Sequence, residues 1–515
     1  MATYYLTTPI YYPNAKPHIG TAFCTIGCDV QARYRRLKGY DTFFLTGLDE
    51  NSLNVERQAR SQGKDPQDYC DEMAEFFRDL WDKLNISYDG FIRTTEEHHK
   101  HAARLLLQKC YDAGDIYKGT YAGWYCLPCE AFYADDDLVD GKCPVHDAEP
   151  EWTEEDNYFF ALSKYQDRLL AFYDEHPESV LPDFRRNEVV NMVRGELRDF
   201  SISRANKTWG IPVPFDEEQV IYVWFDALTN YITGVGYGQD DELFARYWPA
   251  DVHVIGKDII RFHCVYWPAM LMSAGVQLPK TVWAHGWIMF RGLKMSKSRG
   301  TGVDPFEMVD EFGADAVRYY LVREIPFDQD GVFSWESFYN RYNADLANDL
   351  GNLVQRTTSM VSRYFDGVLP APGDATSLDE SLREVAQQAV EGAERGLESW
   401  DLDAALDSVW TLVTRANQYI EENAPWVLAK DADQRERLGS VLYNVTEAVR
   451  ILAVLLGPYV PQTADTILER LGEPPLDAGA WERGLGWGGL TSDRSISTGK
   501  PLFPRLEVPE FSEST

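Results

Sequence analysis

Positive charge is scarce in this sequence. Lysine and arginine total 49 and aspartate and glutamate total 82, so the 515 residues carry a formal net charge of 49 − 82 = −33 at pH 7. Proteins that bind nucleic acid without specificity rely on many lysine and arginine contacts to phosphate. The composition therefore argues against such a protein, and any RNA partner has to be met by local basic patches.

Long apolar runs and a leader segment are also lacking. The sequence starts MATYYLTTPI, with no basic residues ahead of a long apolar stretch, which predicts that there is no signal peptide. The apolar run ILAVLLGPYV is interrupted by Gly457 and Pro458, well short of the ~18 apolar residues of a membrane span. We expect a cytoplasmic protein without membrane contact.

Cysteine is sparse, and five of the eight cysteines lie outside any obvious pattern. A chain of this size needs no disulfide framework, so free thiols and one metal cluster fit the count better. The stretches CLPC (126–129) and CPVH (143–146) form the pattern C-x2-C-x13-C-x2-H. Four such ligands with no open position are typical of structural zinc, and a disulfide is the disfavoured alternative. The predicted Zn²⁺ ligands are Cys126, Cys129, Cys143 and His146.

Strand-like and helix-like segments alternate in the first third of the chain and again after residue 206, which predicts a parallel sheet with crossover helices. The predicted strands are 4–10, 42–47, 220–225, 252–255 and 281–288, and the predicted helices are 20–38, 52–85 and 95–113. Between them, residues 116–205 contain the cysteine cluster and short strands, which indicates an insertion into the sheet domain.

From residue 336 the apolar periodicity is wholly helical. The helical segments are 338–365, 380–398, 402–429 and 433–470, with a linker at 366–377. The predicted fold class is α/β: a Rossmann-type parallel-sheet catalytic domain with a zinc-binding connective insertion, followed by an all-α helical bundle. The expected parts are 1–115 and 206–275 (sheet domain), 116–205 (insertion), 276–335 (a connecting region with the loop described next) and 336–515 (bundle).

Suggestive polar residues follow the predicted strands. Ligands of parallel sheets bind at the carboxyl ends of the strands, where His18, Asp49 and the segments 226–231 and 256–263 fall. His18 precedes a predicted helix, whose amino end suits an anion. The loop GLKMSKSRGT (292–301) contains three cationic residues and no acid, which suits a polyphosphate that is held briefly and released. A solvated surface loop and a helix-capping histidine are the plainer alternatives.

Two of these segments, PHIG (17–20) and KMSKS (294–298), resemble the two signatures of class I aminoacyl-tRNA synthetases. The whole chain resembles the bacterial-type methionyl-tRNA synthetases with a single zinc knuckle. The resemblance rests also on TPIYYPNA, FLTG, YVWFDAL, IGKDI, WPAML, GNLVQR, NAPW and PLFPRLE.

The resemblance implies two steps, in which methionine and ATP (with Mg²⁺) form methionyl-adenylate and pyrophosphate before methionine passes to the 3′ end of initiator and elongator methionine tRNAs. It implies that His18, Lys294 and Lys297 are catalytic. The implied ATP-binding residues are His18, Gly20, Gly256, Lys257, Asp258, His285, Gly286, Lys294, Ser296 and Lys297. The implied methionine-binding residues are Ile10, Tyr12, Asp49, Trp224, Ala227, Leu228, Tyr231, Phe262 and His263.

In the helical part, the resemblance implies that four residues read the CAU anticodon: Asn352, Arg356, Pro425 and Trp426. An exposed aromatic ring with asparagine and arginine suits unpaired bases, although Trp426 as a residue of the bundle core is an open alternative. Because the chain ends at 515, without room for an added dimerisation domain, we expect a monomer.

The sequence departs from the family at three positions. Relatives often have a second histidine where this chain has Thr21, and a His-Gly pair where it has Asn51 and Ser52. Thr21 can still donate a hydrogen bond, but the roles of Asn51 and Ser52 are open. Rival functions are a synthetase for another amino acid, an adenylyl-transferring enzyme that does not bind tRNA, and a non-catalytic RNA-binding protein.

Overall fold

The computed structural model describes residues 2–128, 130–133, 135–144, 147–205, 208–290, 293–294 and 303–509. The strands are β1 (Thr3–Thr7), β2 (Asp41–Leu48), β3 (Gly90–Arg93), β4 (Ile116–Cys126), β5 (Ala131–Tyr133), β6 (Glu151–Phe160), β7 (Val180–Leu181), β8 (Phe200–Ser201), β9 (Ser203–Ala205), β10 (Pro212–Val213), β11 (Asp216–Ile221), β12 (Val252–Gly256), β13 (Val282–His285), β14 (Ile288–Phe290), β15 (Leu293–Lys294) and β16 (Gly331–Phe333).

The α-helices are α1 (Ile19–Leu37), α2 (Leu53–Ser61), α3 (Pro66–Lys83), α4 (Glu97–Asp112), α5 (Gln166–Glu175), α6 (Asp183–Arg194), α7 (Val223–Thr233), α8 (Asp241–Tyr247), α9 (Trp267–Ala274), α10 (Pro305–Phe312), α11 (Ala314–Glu324), α12 (Trp335–Arg341), α13 (Asn352–Phe365), α14 (Ser377–Glu398), α15 (Leu402–Asn423), α16 (Pro425–Leu428), α17 (Arg435–Leu456), α18 (Pro461–Arg470) and α19 (Ala480–Gly484). Two π-helical stretches, Phe262–Tyr266 and Tyr342–Gly351, precede α9 and α13.

The predicted parallel sheet is present, with six strands in the order β3-β2-β1-β12-β13-β7. The strand order changes direction between β1 and β12, so their carboxyl ends leave a crevice between them. The strand β7 comes from the range predicted as the insertion, yet it pairs with β13 at the edge of this sheet. Four other strands of that range form an antiparallel sheet in the order β5-β4-β6-β8.

The sequence predicted two strands incorrectly. The predicted strand 220–225 ends at Ile221, in a small antiparallel sheet with β9 and β10, and the chain then turns into α7. All eleven residues of α7 are buried, and its first three (223–225) continue the apolar run that begins in β11; periodicity cannot distinguish a strand from a buried helix in so short a run. The predicted strand 281–288 divides at Gly286, with β13 in the large sheet and β14 in another.

The helical part packs against α1. At their junction lies Arg318 on α11, fully buried, with its guanidinium 2.7 Å from the carboxylate of Asp29 on α1. The same guanidinium donates hydrogen bonds to the carbonyl oxygens of Tyr459 and Pro458, in the turn between α17 and α18. One buried cation therefore joins the sheet domain to the bundle.

Among the residues that the structure describes, one helical segment, Ala432–Leu456, has the length and composition of a membrane span, with a mean hydropathy of 1.4. Its apolar window is completely buried inside the protein. We interpret it as the central helix of the bundle, packed against α14, α15 and α18.

Candidate active site

A cavity of about 420 Å³ opens at the carboxyl ends of β1, β2, β12 and β13. It lies where the strand order of the sheet changes direction, which is the expected binding site of a doubly wound sheet. Its wall also includes residues of α1 and α7 and of the π-helical stretch Phe262–Tyr266.

All nine residues predicted to bind methionine line this cavity. The rings of Trp224 and Phe262 are parallel, with centroids 3.7 Å apart. The Tyr231 hydroxyl lies 2.6 Å from Nε2 of His263, while Nδ1 of His263 lies 2.9 Å from the carbonyl oxygen of Ile259. Since a carbonyl only accepts, Nδ1 carries the proton and Nε2 accepts from Tyr231. Burial lowers the pKa of His263 to about 4, so this wall is aromatic and uncharged.

Asp49 contributes a buried carboxyl group to the wall of the cavity. It is 2% exposed, and its Oδ1 has no hydrogen-bond partner in the described part of the chain. Burial raises the pKa of Asp49 well above its usual value, and the carboxylates of Asp226, Glu130 and Glu50 raise it further. A cationic group that enters the cavity would relieve this accumulation of negative charge.

The carboxyl groups of Asp49, Asp226, Glu130 and Glu50 form an acidic corner of the cavity. Asn51 and Ser52, whose roles the sequence left open, lie beside it. The Asn51 amide donates to the carboxylate of Asp226 (2.8 Å) and to the carbonyl oxygen of Thr94 (2.9 Å). The Ser52 hydroxyl caps α2 by accepting from the backbone N–H of Val55. The other carboxylate oxygen of Asp226 lies 2.6 Å from His99. The bonds from Asn51 and His99 hold Asp226 beside Asp49.

His18 lies at the amino end of α1 and lines the cavity. Its Nδ1 accepts from the backbone N–H groups of Gly20 (3.1 Å) and Thr21 (3.3 Å). The helix-capping alternative is thus confirmed, but it does not compete with a role in binding. Because Nδ1 accepts from the backbone, the neutral ring carries its proton on Nε2, where it can donate to a ligand.

Most of the predicted ATP-binding residues that the structure describes line the cavity. Gly20, Gly256, Asp258, His285 and Gly286 line it.

Lys257 is not among the lining residues. Its ammonium pairs with Asp330 at 2.7 Å and lies 4.2 Å from the centre of the Trp287 ring. Ser296 and Lys297 lie outside the described residues, and only the backbone of Lys294 is described, in β15.

The cysteine-rich segment contacts the cavity directly. Pro128 and Tyr133 line the cavity wall. The Glu130 carboxylate accepts from the backbone N–H of Asn54, at the start of α2, at 2.7 Å, and the Asn54 amide donates to the carbonyl oxygen of Leu127. The insertion is therefore docked a few residues from Asp49.

The predicted zinc ligands Cys126 and Cys143 are both buried, whereas Cys129 and His146 lie outside the described residues. Within the described parts of the chain, no group of three potential metal ligands is present.

The four residues predicted to read an anticodon lie on α13 and at the start of α16. The Arg356 guanidinium lies 5.7 Å from the centre of the Trp426 ring and is paired with Glu421 at 2.6 Å. Trp426 is 39% exposed, so the alternative that it belongs to the bundle core is wrong. Asn352 is exposed one turn from Arg356, and Pro425, immediately before Trp426, is buried.

The sequence missed several lining residues, among them Asn230, Trp287 and Tyr133. Asn230 belongs to the segment 226–231, which was expected at the end of a strand. Its position on the same helix as Ala227 was the available signal that it lines the cavity. Tyr133 lies in the insertion, and nothing in its local sequence predicts that it reaches the sheet domain.

Comparisons with known proteins agree with this geometry. The family model described as "tRNA synthetases class I (M)" matches residues 4–149 and 136–358, and "Anticodon binding domain of methionyl tRNA ligase" matches residues 369–486. The methionine–tRNA ligase of Caldanaerobacter subterraneus subsp. tengcongensis is 50% identical over 507 residues, which are 98% of this chain and 79% of the relative. That of Clostridium tetani is 48% identical over 508 residues, with the same coverage.

Among solved structures, the Mycobacterium tuberculosis methionyl-tRNA synthetase in complex with methionyl-adenylate has a TM-score of 0.95 and 44% identity, covering 98% of this chain and 100% of that one. The chain belongs to the methionyl-tRNA synthetase family of the class I aminoacyl-tRNA synthetases.

Proposed function

We propose that this chain activates methionine with ATP in the cavity at the sheet edge, and then transfers the methionyl group to methionine tRNAs. The observation that carries the assignment is the combination, in one cavity, of an unpartnered buried carboxylate with an uncharged aromatic slot. The carboxylate of Asp49 suits an α-ammonium group. Aromatic rings suit a thioether, each contact contributing ~0.3–1.5 kcal/mol.

The wall contacts favour methionine over a charged or strongly polar side chain. His263 is neutral and already bonded to Tyr231 and Ile259, so it presents no free charge to the slot. The stacked Trp224 and Phe262 form a flat apolar surface. A polar side chain would lose its hydration here without gaining partners, which is costly.

In the activation step, the methionine carboxylate attacks the α-phosphate of ATP and pyrophosphate leaves. Negative charge grows on the phosphates, so preorganised donors aimed at them lower the barrier. His18 supplies its Nε2–H and α1 supplies the positive end of its dipole. Lys294 and Lys297 are assigned to the leaving pyrophosphate, with Lys297 the more important. Magnesium accompanies ATP and neutralises part of the phosphate charge.

We assign structural zinc to Cys126, Cys129, Cys143 and His146. Two buried thiols in a segment of short strands are the donor set that zinc prefers, and this chemistry fits the site. The bound ion supplies a cross-link that stabilises the fold of the knuckle. The residues beside it, Glu130 and Pro128, hold the knuckle against α2 and the cavity.

For tRNA selection, we assign anticodon reading to Asn352, Arg356, Pro425 and Trp426. An exposed ring beside a guanidinium offers stacking and hydrogen bonding to unpaired bases. These contacts favour a ligase over an adenylyl-transferring enzyme that does not bind tRNA. That the enzyme is monomeric and cytoplasmic stays a prediction.

The function is tested by measuring the two steps separately. Single-turnover formation of methionyl-adenylate tests the cavity, and methionylation of a tRNA with the anticodon CAU tests the helical part. A matched tRNA with one anticodon base changed is the control. We expect adenylate formation and charging of the CAU tRNA, with charging of the altered tRNA strongly reduced. Adenylate formation with equal charging of both tRNAs would contradict the anticodon assignment.

A further inference from the structure

Asn230 on α7 has an unsatisfied acceptor at the wall of the cavity. The residue is 1% exposed and lines the cavity. Its Nδ2 donates to the carbonyl oxygen of Ala227 at 2.6 Å, and its side chain also hydrogen-bonds to Tyr231, whereas its Oδ1 has no hydrogen-bond partner among the described residues. The contact with Ala227 fixes the orientation of the amide, because a carbonyl can only accept. Buried acceptors are normally paired, so the Oδ1 atom requires a partner that the protein itself does not supply.

The position of Asn230 on α7 places it toward Asp49. Asn230 follows Asp226 by four residues and Ala227 by three, so the three residues share one side of the helix. Ala227 lines the cavity, and Asp226 is the neighbouring charge with the largest influence on Asp49. Asn230 therefore lies on the side of α7 that faces the acidic corner.

Three lining residues have buried oxygens without partners: Oδ1 of Asp49, Oδ1 of Asn230 and the Tyr12 hydroxyl. An α-ammonium has three N–H donors, whereas a thioether has none, so only the ammonium end of methionine can satisfy an amide oxygen. Building on the function proposed above, we propose that Asn230 accepts a hydrogen bond from the α-ammonium of methionine beside Asp49. It thereby contributes to the selection of α-amino acids over α-hydroxy acids.

The test compares two substitutions at one position. Asn230→Ala removes both amide groups, whereas Asn230→Asp retains an acceptor and loses the bond to Ala227. The difference in activity between the two variants therefore measures the contribution of the acceptor oxygen at position 230. Thr229→Val is the control, because Thr229 is buried on the same helix, its hydroxyl donates to the carbonyl oxygen of Phe225, and it is not among the residues that line the cavity. Melting temperatures show whether each variant is folded.

The substrates are methionine, norleucine, which keeps the ammonium and lacks sulfur, and 2-hydroxy-4-(methylthio)butanoate, which keeps the thioether and lacks the ammonium. A buried hydrogen bond to a charged group predicts that Asn230→Ala lowers kcat/KM for methionine and norleucine on the order of 10- to 100-fold. The methionine-to-norleucine ratio stays constant, while the preference for methionine over the hydroxy acid falls. Asn230→Asp loses less activity, and Thr229→Val behaves like the unmodified enzyme.

Equal losses for all three substrates, or a changed methionine-to-norleucine ratio, would overturn the assignment, because Asn230 would then be structural or would face the thioether. Unchanged kinetics of Asn230→Ala would also overturn it. Failure of the unmodified enzyme to activate methionine would instead contradict the proposed function.

Discussion

The acidic corner of the cavity predicts that methionine binding depends on pH. In the free protein, burial holds the pKa of Asp49 well above its usual value, and the carboxylates of Asp226, Glu130 and Glu50 add to the effect. The neighbouring Tyr12 hydroxyl is neutral, because burial raises the pKa of Tyr12 well above its usual value. The ammonium of methionine favours the ionised carboxylate, so binding must release a proton wherever Asp49 is protonated in the free enzyme.

The direction and size of the effect follow from proton linkage. Below the raised pKa of Asp49, the affinity for methionine increases tenfold for each unit of rising pH, or about 1.4 kcal/mol. Free-enzyme stability changes in the opposite direction. A carboxyl whose pKa is higher in the folded than in the unfolded chain destabilises the fold as the pH rises above the unfolded value of about 3.9. Methionine should therefore raise the melting temperature more at higher pH.

Isothermal titration calorimetry in two buffers with different ionisation enthalpies counts the released protons, at pH values below ~7.5 where the α-ammonium of the ligand stays charged. Asp49→Asn should abolish the proton release and weaken binding by about 2–5 kcal/mol. The matched control is Asp41→Asn, at the opposite end of β2, where the carboxylate pairs with Arg246 outside the cavity. Methionine binding without proton release, at every pH, would refute the reasoning.

Three further predictions follow from other parts of the molecule. Lys297→Ala should slow adenylate formation by roughly 10²–10³-fold in single-turnover assays and leave methionine affinity unchanged, since the negative charge that Lys297 stabilises develops as pyrophosphate leaves. Activity within a few-fold of normal would mean that the loop is only a solvated turn. Trp426→Ala should weaken charging of initiator and elongator methionine tRNAs alike, by about 1–3 kcal/mol, measured as kcat/KM for tRNA; loss with only one of the two tRNAs would contradict shared anticodon reading. Cys126→Ser should release zinc, measured by metal analysis, and should also weaken methionine binding, because the knuckle supplies Pro128 and Tyr133 to the cavity wall; full zinc occupancy would contradict the ligand assignment.

The last prediction rests on contacts that no local sequence pattern reports. A zinc knuckle inside an insertion suggests a separate unit, whose loss leaves the activation site intact. The contact between Glu130 and the start of α2 lies between residues 76 positions apart in sequence, and no local pattern reports it. Such contacts depend on how the finished domains dock, which periodicity and composition do not describe.

Local sequence patterns were sufficient to predict the sheet and the position of the cavity. The alternation of strands and helices predicted the parallel sheet. The rule that ligands bind at the carboxyl ends of parallel strands predicted that His18, Asp49 and Gly256 lie in one cavity. The family resemblance supplied the remaining residues predicted to bind methionine, which line the same cavity. Periodicity failed at the start of α7, because residues 220–225 form one short run of aromatic and β-branched residues, which resembles a buried strand. Asn230 was missed for a different reason, since only the three-dimensional partners of an amide reveal which of its atoms is unsatisfied.

The central claim is that the cavity selects methionine and activates it. The most direct test is ATP–pyrophosphate exchange with the purified chain, measured separately with each of the twenty amino acids. We predict exchange that depends on methionine and on no other amino acid at comparable concentration, and that is lost in Asp49→Asn. Exchange supported best by another amino acid, or exchange with methionine that survives in Asp49→Asn, would contradict this account of the cavity.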